Sequence, residues 1–149
     1  MKWAQLLPTL AELIKNRSCP DALVIHLGEN DLVQLSGLGL IKEMKKDLDV
    51  VARSWAGTCI ILTALVPRRI WRGALNCTAV ERGRRKVNRE MRRFCSVKGL
   101  CWLEHKDIVR ESFHLYRPDG VHLSFLGNEF YLLELRNFLS GKFGVKFWA

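Results

Sequence analysis

The feature that most restricts how this chain can fold is a regular alternation between two apolar patterns. Leu7, Leu10 and Ile14 recur at three and four residues, which puts them on one face of a helix over Leu6–Lys15. Pro20 and Asp21 punctuate, and Ala22–Leu27 (ALVIHL) is then a short apolar run rich in strand formers. Gly28–Gly39 is expected to be a loop. Helical spacing returns at Leu40, Met44, Leu48 and Val51 and ends near Trp55–Gly57. Thr58–Leu65 (TCIILTAL) predicts a second strand, and Val66–Asn76 an irregular connection around Pro67. Cys77–Val97 predicts a long helix with Val80, Val87, Met91 and Phe94 as its apolar stripe. Leu100–Leu103 predicts a third, shorter strand. Glu104–Ser112 reads as a brief helix or turn, His114–Leu123 as a loop, and Ser124–Phe138 as a closing apolar helix (Phe125, Leu126, Phe130, Leu133, Phe138).

Strands that alternate with helices indicate an α/β fold with a parallel sheet, because parallel neighbours need a crossover. At 149 residues, with no internal repeat or linker, the chain is expected to be one domain over 1–149. No segment reaches the roughly 18 apolar residues of a membrane span, and MKWAQLLPTLAELIKN lacks the pattern of a signal peptide. An intracellular, cytoplasmic protein is the expectation. In α/β folds ligands collect at the carboxyl ends of the strands. Gly28-Glu29-Asn30-Asp31 directly follows the first predicted strand, and Asp119-Gly120-Val121-His122 lies in the loop after the third, so both stretches belong to one rim.

Each stretch has chemistry of its own. Gly28 lets the backbone turn sharply after a strand. Asn30 offers an amide N–H₂ that can donate to a developing negative charge, a contribution of about 3–4 kcal/mol to a barrier. Asp31 is expected to hold the geometry by accepting hydrogen bonds from its own loop. Asp119 and His122 lie three apart around Gly120, a spacing at which the carboxylate reaches Nδ1–H and leaves Nε2 as a general base. Either stretch alone is also ordinary turn chemistry. Asp119 can simply begin a turn, with His122 packed ahead of a last helix capped by Ser124.

Taken together and in order, Gly28, Asn30, Asp31, Asp119 and His122 resemble two sequence blocks of the SGNH (GDSL-like) esterase and lipase superfamily. Arg117–Asn128 (RPDGVHLSFLGN) is similar to the way these enzymes enter their last helix, and the resemblance runs from about Pro20 to Phe138. It implies a flavodoxin-like, three-layer α/β/α fold and hydrolysis of an ester through a Ser-His-Asp mechanism. In that mechanism Asp119 orients His122, His122 acts as base and then acid, and Asn30 stabilises the oxyanion. Gly28 and Asp31 shape the loop. The resemblance implies no metal or organic cofactor. Five scattered cysteines (Cys19, Cys59, Cys77, Cys95, Cys101) with no CxxC spacing also argue against a zinc site and read as free thiols.

The resemblance breaks at the nucleophile. The family's glycine-aspartate-serine block at the end of a first strand has no counterpart here. Of Ser18, Ser36, Ser54, Ser96, Ser112, Ser124 and Ser140, none follows Gly-Asp, and only Ser36 falls near Asn30. The nucleophile is therefore unknown. The expectation is an N-terminally truncated SGNH domain that lacks its first strand and is a very poor esterase alone, since losing a triad serine costs about 10⁶ in turnover. The missing strand would lie beside Ala22–Leu27 and leave an apolar edge unpaired.

The alternative is a catalytically inactive binding domain. Of the formal net charge of +9, the Arg68–Arg93 stretch holds +8, with ten basic residues against Glu81 and Glu90. Arg82, Arg85, Arg89 and Arg92 recur at three and four, a cationic ridge able to engage nucleic acid through its phosphates. A solvated surface helix has the same pattern, because arginine is a good helix former.

Overall fold

The computed structural model describes residues 1–146. Its three strands are β1 (Ala22–Ile25), β2 (Cys59–Thr63) and β3 (Cys101–Leu103). Its helices are α1 (Leu6–Ile14), α2 (Gly37–Ser54), α3 (Cys77–Lys98) and α4 (Phe125–Phe143). The sheet order is β1-β2-β3 and both pairings are parallel, with Ala22 opposite Cys59 and Ile61 opposite Cys101. The alternation read from the sequence is thus the observed α/β architecture.

Strand residues point alternately to opposite faces, and this decides the layers. Ile25, Ile60 and Leu62 face a core made with Leu6 and Leu10 of α1, Leu40, Met44 and Leu48 of α2, and Val87, Met91 and Cys95 of α3. Thr63 faces the other way, where its hydroxyl bonds with Tyr131 of α4. Three helices therefore cover one face and α4 the other, giving three layers. Burying side chains such as Leu40, Leu48 and Met91, each with 1 % exposure or less, contributes about 1.5–3 kcal/mol apiece.

Local chemistry sets the helix starts. Ser36 Oγ accepts from the Gly39 N–H at 3.0 Å ahead of α2, and Asn76 Oδ1 from Ala79 N–H at 3.0 Å ahead of α3. Ser124 Oγ accepts from Gly127 N–H at 3.1 Å at the start of α4.

Glu104–Ser112, read as a brief helix or turn, forms turns and is followed by the 3₁₀ turn Phe113–Leu115. Two expectations need adjustment. His114–Leu123 overlaps that turn and carries an antiparallel bridge between Tyr116 and Leu123, so it is more ordered than a loop. The last helix runs to Phe143, five residues past Phe138. Its apolar residues are spread around the helix, so Phe125, Leu126 and Leu133 are exposed and only Gly127 is buried. Among the described residues the outer edge of β1 has no strand partner. No helix among them is long and apolar enough to cross a membrane.

Candidate active site

The Asp119–His122 turn is assembled by hydrogen bonds. Gly120 sits at φ +67, a conformation that side chains with a Cβ rarely adopt. Its N–H donates to Arg117 O, and its carbonyl accepts from both Arg69 and Ile70 N–H at 2.9 Å. Asp119 Oδ1 accepts from the backbone N–H groups of Val121 (2.9 Å) and His122 (3.0 Å). That leaves Oδ2 to accept from His122 Nδ1 at 2.6 Å. The His122 side-chain bond, followed by the two backbone bonds, holds the Asp119 carboxyl well below the usual carboxylate range. The imidazole is 63 % exposed, so Nε2 is accessible to a ligand. The two ends of the turn are tied by Arg117 N–H to His122 O and by Ser124 N–H to Leu115 O, both 2.9 Å.

The Gly28–Asp31 loop lies across the rim from this turn. Gly28 has φ +134, and its carbonyl accepts from Asp31 N–H at 3.0 Å. The Asp31 side chain, expected to hold its own loop, is buried and instead accepts from Trp3 N–H at 2.9 Å. It anchors the N-terminal segment. Backbone bonds from Gln34 and Leu35 to Asp31 O close the loop without it. Burial pushes the Asp31 carboxyl upward, opposed by the Trp3 bond and the charge of Lys2. Asn30 is exposed, with its amide N–H₂ donating to Met1 O at 3.1 Å and its Oδ1 accepting from Arg68 Nη2 at 2.9 Å.

The two loops border a cleft of about 370 Å³ lined by Gly28, Asn30, Arg68, Arg117, His122 and Met1, among others. A neighbouring depression of about 440 Å³ shares Asn30, Arg68, Val121 and His122 and adds Arg72 and Gln34. Asn30 and His122, 92 positions apart in sequence, thus line the same space. Leu65, just beyond β2, is clamped from α3: its N–H donates to Asn88 Oδ1, and its carbonyl accepts from Asn88 Nδ2 and Arg84 Nη1.

Sequence reasoning did not single out a polar group beneath the cleft. Buried Glu29 accepts from Val66 N–H at 3.0 Å, and His26 Nε2 lies 3.2 Å from the same carboxylate. His26 Nδ1 meets Thr63 Oγ1 at 2.6 Å. Buried His105 stacks on Tyr131 with ring centroids 4.0 Å apart and bonds Glu134 Oε2 through Nδ1 at 2.7 Å. Burial lowers the His105 pKa, against the pull of Glu134. The position of His26 at the carboxyl end of β1 was the available signal. His105 could not be found that way, because its partner Glu134 lies 29 residues on.

Other sequence candidates are arranged differently. Ser36 is occupied as the α2 cap, and no serine lines either cleft among the described residues. The ridge on α3 is exposed, but much of its charge is paired. Arg84 and Arg85 share Glu81, Arg89 and Arg93 share Glu90, and Arg92 lies 3.6 Å from Glu104. The cysteines are free, with Cys59 Sγ 3.6 Å from Cys101 Sγ. Among the described residues no cluster of three or more His, Cys, Asp or Glu is arranged to hold a metal ion.

No protein-family model matches the sequence, and no curated protein sequence matches it. Solved structures do. A GDSL-like lipase from Bacteroides thetaiotaomicron superimposes with a TM-score of 0.78 at 16 % identity, covering 95 % of this chain and 72 % of that one. A lipase/acylhydrolase from Enterococcus faecalis gives 0.71 at 16 % identity, with 95 % and 72 % covered. The esterase domain of the ZfL2-1 ORF1 protein from a zebrafish retrotransposon gives 0.60 at 22 % identity, with 95 % and 81 % covered. Together with the layer order and the parallel sheet, these similarities show that the chain carries the fold of the SGNH (GDSL-like) hydrolases.

Proposed function

We propose that this domain is the base-and-oxyanion part of a carboxylic ester hydrolase. The observation that carries the proposal is the common cleft of Asn30 and a His122 whose Nδ1 is bonded to Asp119 at 2.6 Å. The similar solved proteins, described as lipases, acylhydrolases and esterases, support the same reaction class. Asp119 fixes the tautomer and stabilises the imidazolium. His122 Nε2 removes a proton from the attacking hydroxyl and returns it to the leaving alcohol. The Asn30 N–H₂, now on Met1 O, turns to the oxyanion of the tetrahedral intermediate.

The attacking serine, on this proposal, comes from a strand outside these 149 residues that adds to the unpaired edge of β1. Without it, the remaining machinery sustains only a small fraction of full turnover. An enzyme stripped of its triad retains about 10³–10⁴ over water through its oxyanion hole and binding.

The experiment is hydrolysis of p-nitrophenyl butanoate by the folded chain, with fluorophosphonate labelling in parallel. A weak turnover that drops in both Asn30→Ala and His122→Ala, without a phosphonylated serine, is the expected result. Turnover indifferent to both changes refutes the assignment of those residues. A serine adduct that disappears in His122→Ala would place the nucleophile inside the chain and overturn the external serine.

A further inference from the structure

Arg68 belongs to neither sequence block, yet it lines both the cleft and its neighbouring depression, with Asn30 and His122. It is half-buried. Its Nη2 donates to Asn30 Oδ1, a neutral acceptor, and its guanidinium lies 5.3 Å from the Trp71 ring centroid. Among the described residues no carboxylate lies within ion-pairing distance of it, unlike Arg84, Arg85, Arg89, Arg92 and Arg93 on α3. The carboxylates nearby are already engaged, Glu29 with Val66 N–H and His26, and Asp119 with His122. Arg117 adds a second cation to the cleft wall, and Arg72 borders the depression 3.9 Å from Asp119 Oδ2.

Glu29 and Asp119 act on the Arg68 guanidinium only from beyond ion-pairing distance, so its remaining N–H groups are left to form strong charge-assisted bonds to oxyacid oxygens. We propose that the cleft takes an anionic ester, one that carries a carboxylate or phosphate group, and that Arg68 binds this group beside His122. This rests on the hydrolase reading for the word ester, but the anion subsite stands on Arg68 itself. The bond to Asn30 Oδ1 gives Arg68 a second effect. It turns the Asn30 N–H₂ away from the guanidinium, so anion and reacting carbonyl are held by adjacent groups with no competition between them.

The test is binding, and it requires no turnover. Butyl phosphate, butanoate and neutral methyl butanoate are titrated into the folded chain while the Asn30 side-chain amide and the His122 ring are followed by NMR. Saturable shifts with the two anions and none with methyl butanoate are expected. Affinity should fall roughly tenfold or more in Arg68→Gln, fall less in Arg117→Gln, and be unchanged in Arg53→Gln, on the exposed last turn of α2. Tighter binding of butyl phosphate assigns the subsite to phosphate esters, and tighter butanoate assigns it to carboxylate-bearing ones. Equal shifts with methyl butanoate, or full anion affinity in a folded Arg68→Gln, overturn the proposal. Retained anion binding in a chain whose residual hydrolysis ignores Asn30 and His122 would sink the hydrolase reading while leaving the subsite intact.

Discussion

Gly127→Ala is the substitution for which the fold makes the least intuitive demand. In an exposed helix the change would stabilise by about 0.8–1 kcal/mol, because alanine is the better helix former. Gly127 is in α4, and a methyl group there would lie 2.1 Å from Leu115 O and 3.1 Å from the Leu123 Cβ. Leu115 O is backbone and accepts from Ser124 N–H at 2.9 Å, so it cannot swing aside. The start of α4 would have to move by about 1 Å away from the Phe113–Leu115 turn. Overpacking of this kind costs about 1–3 kcal/mol, and losing the Ser124 bond adds about 0.5–1.5 kcal/mol. After the helix-propensity gain, a net loss of about 2 kcal/mol remains, a fall of roughly 4–8 °C in Tm for a domain of this size. Urea denaturation of Gly127→Ala beside Gly141→Ala is the assay. A methyl group at Gly141 meets nothing within 4 Å, so that variant should match or exceed the wild type. The reasoning is refuted if Gly127→Ala is as stable as Gly141→Ala.

Other consequences are equally measurable. Glu81 and Arg84 pair at 2.5 Å with 10 % and 13 % of their side chains exposed; Glu81→Gln should therefore cost about 3 kcal/mol by stranding the guanidinium, and a loss under about 0.5 kcal/mol in urea melts would contradict this. Burial raises both tyrosines of the chain, Tyr116 and Tyr131, from 10.0 to about 12. Their contribution to stability is therefore complete below pH 10 and lost as pH rises through 12, and tyrosinate absorbance already half-developed near pH 10 in folded protein would be the wrong result. At the acid end the sign reverses. The Asp119 carboxyl lies below its unfolded value of about 3.9, so the Asp119–His122 bond is intact above that pH and is lost as pH falls. The side-chain carboxyl ¹³C resonance of Asp119 should thus keep its ionised position down to at least pH 4, and a titration step above that pH would count against it.

How much of this was legible in the sequence depends on the range of the interaction. The strands and helices follow local periodicity, and Asp119 and His122 lie three apart on one turn, so all were accessible to inspection. The direction of the Asp31 side chain was not, because its partner Trp3 N–H comes from a segment 28 residues earlier. Arg68 counted only as one positive charge among ten until the Val66–Asn76 connection brought it to Asn30. On α3, the Arg85–Glu81 pair lies four residues apart within one helix and is legible in the sequence, whereas the Arg92–Glu104 contact depends on tertiary packing. The extent of α4 was underestimated because its apolar residues are spread around the helix and mark no edge at Phe138.

The central claim is that the Asp119–His122 pair presents a base to the cleft that Asn30 borders. The most direct measurement is the tautomer of His122, read by long-range ¹H–¹⁵N correlation in folded protein. The geometry predicts a proton on Nδ1, hydrogen-bonded to Asp119, and a bare Nε2, with the tautomer lost in Asp119→Asn. A proton resident on Nε2 in the wild-type chain, or a tautomer indifferent to Asp119→Asn, would contradict it.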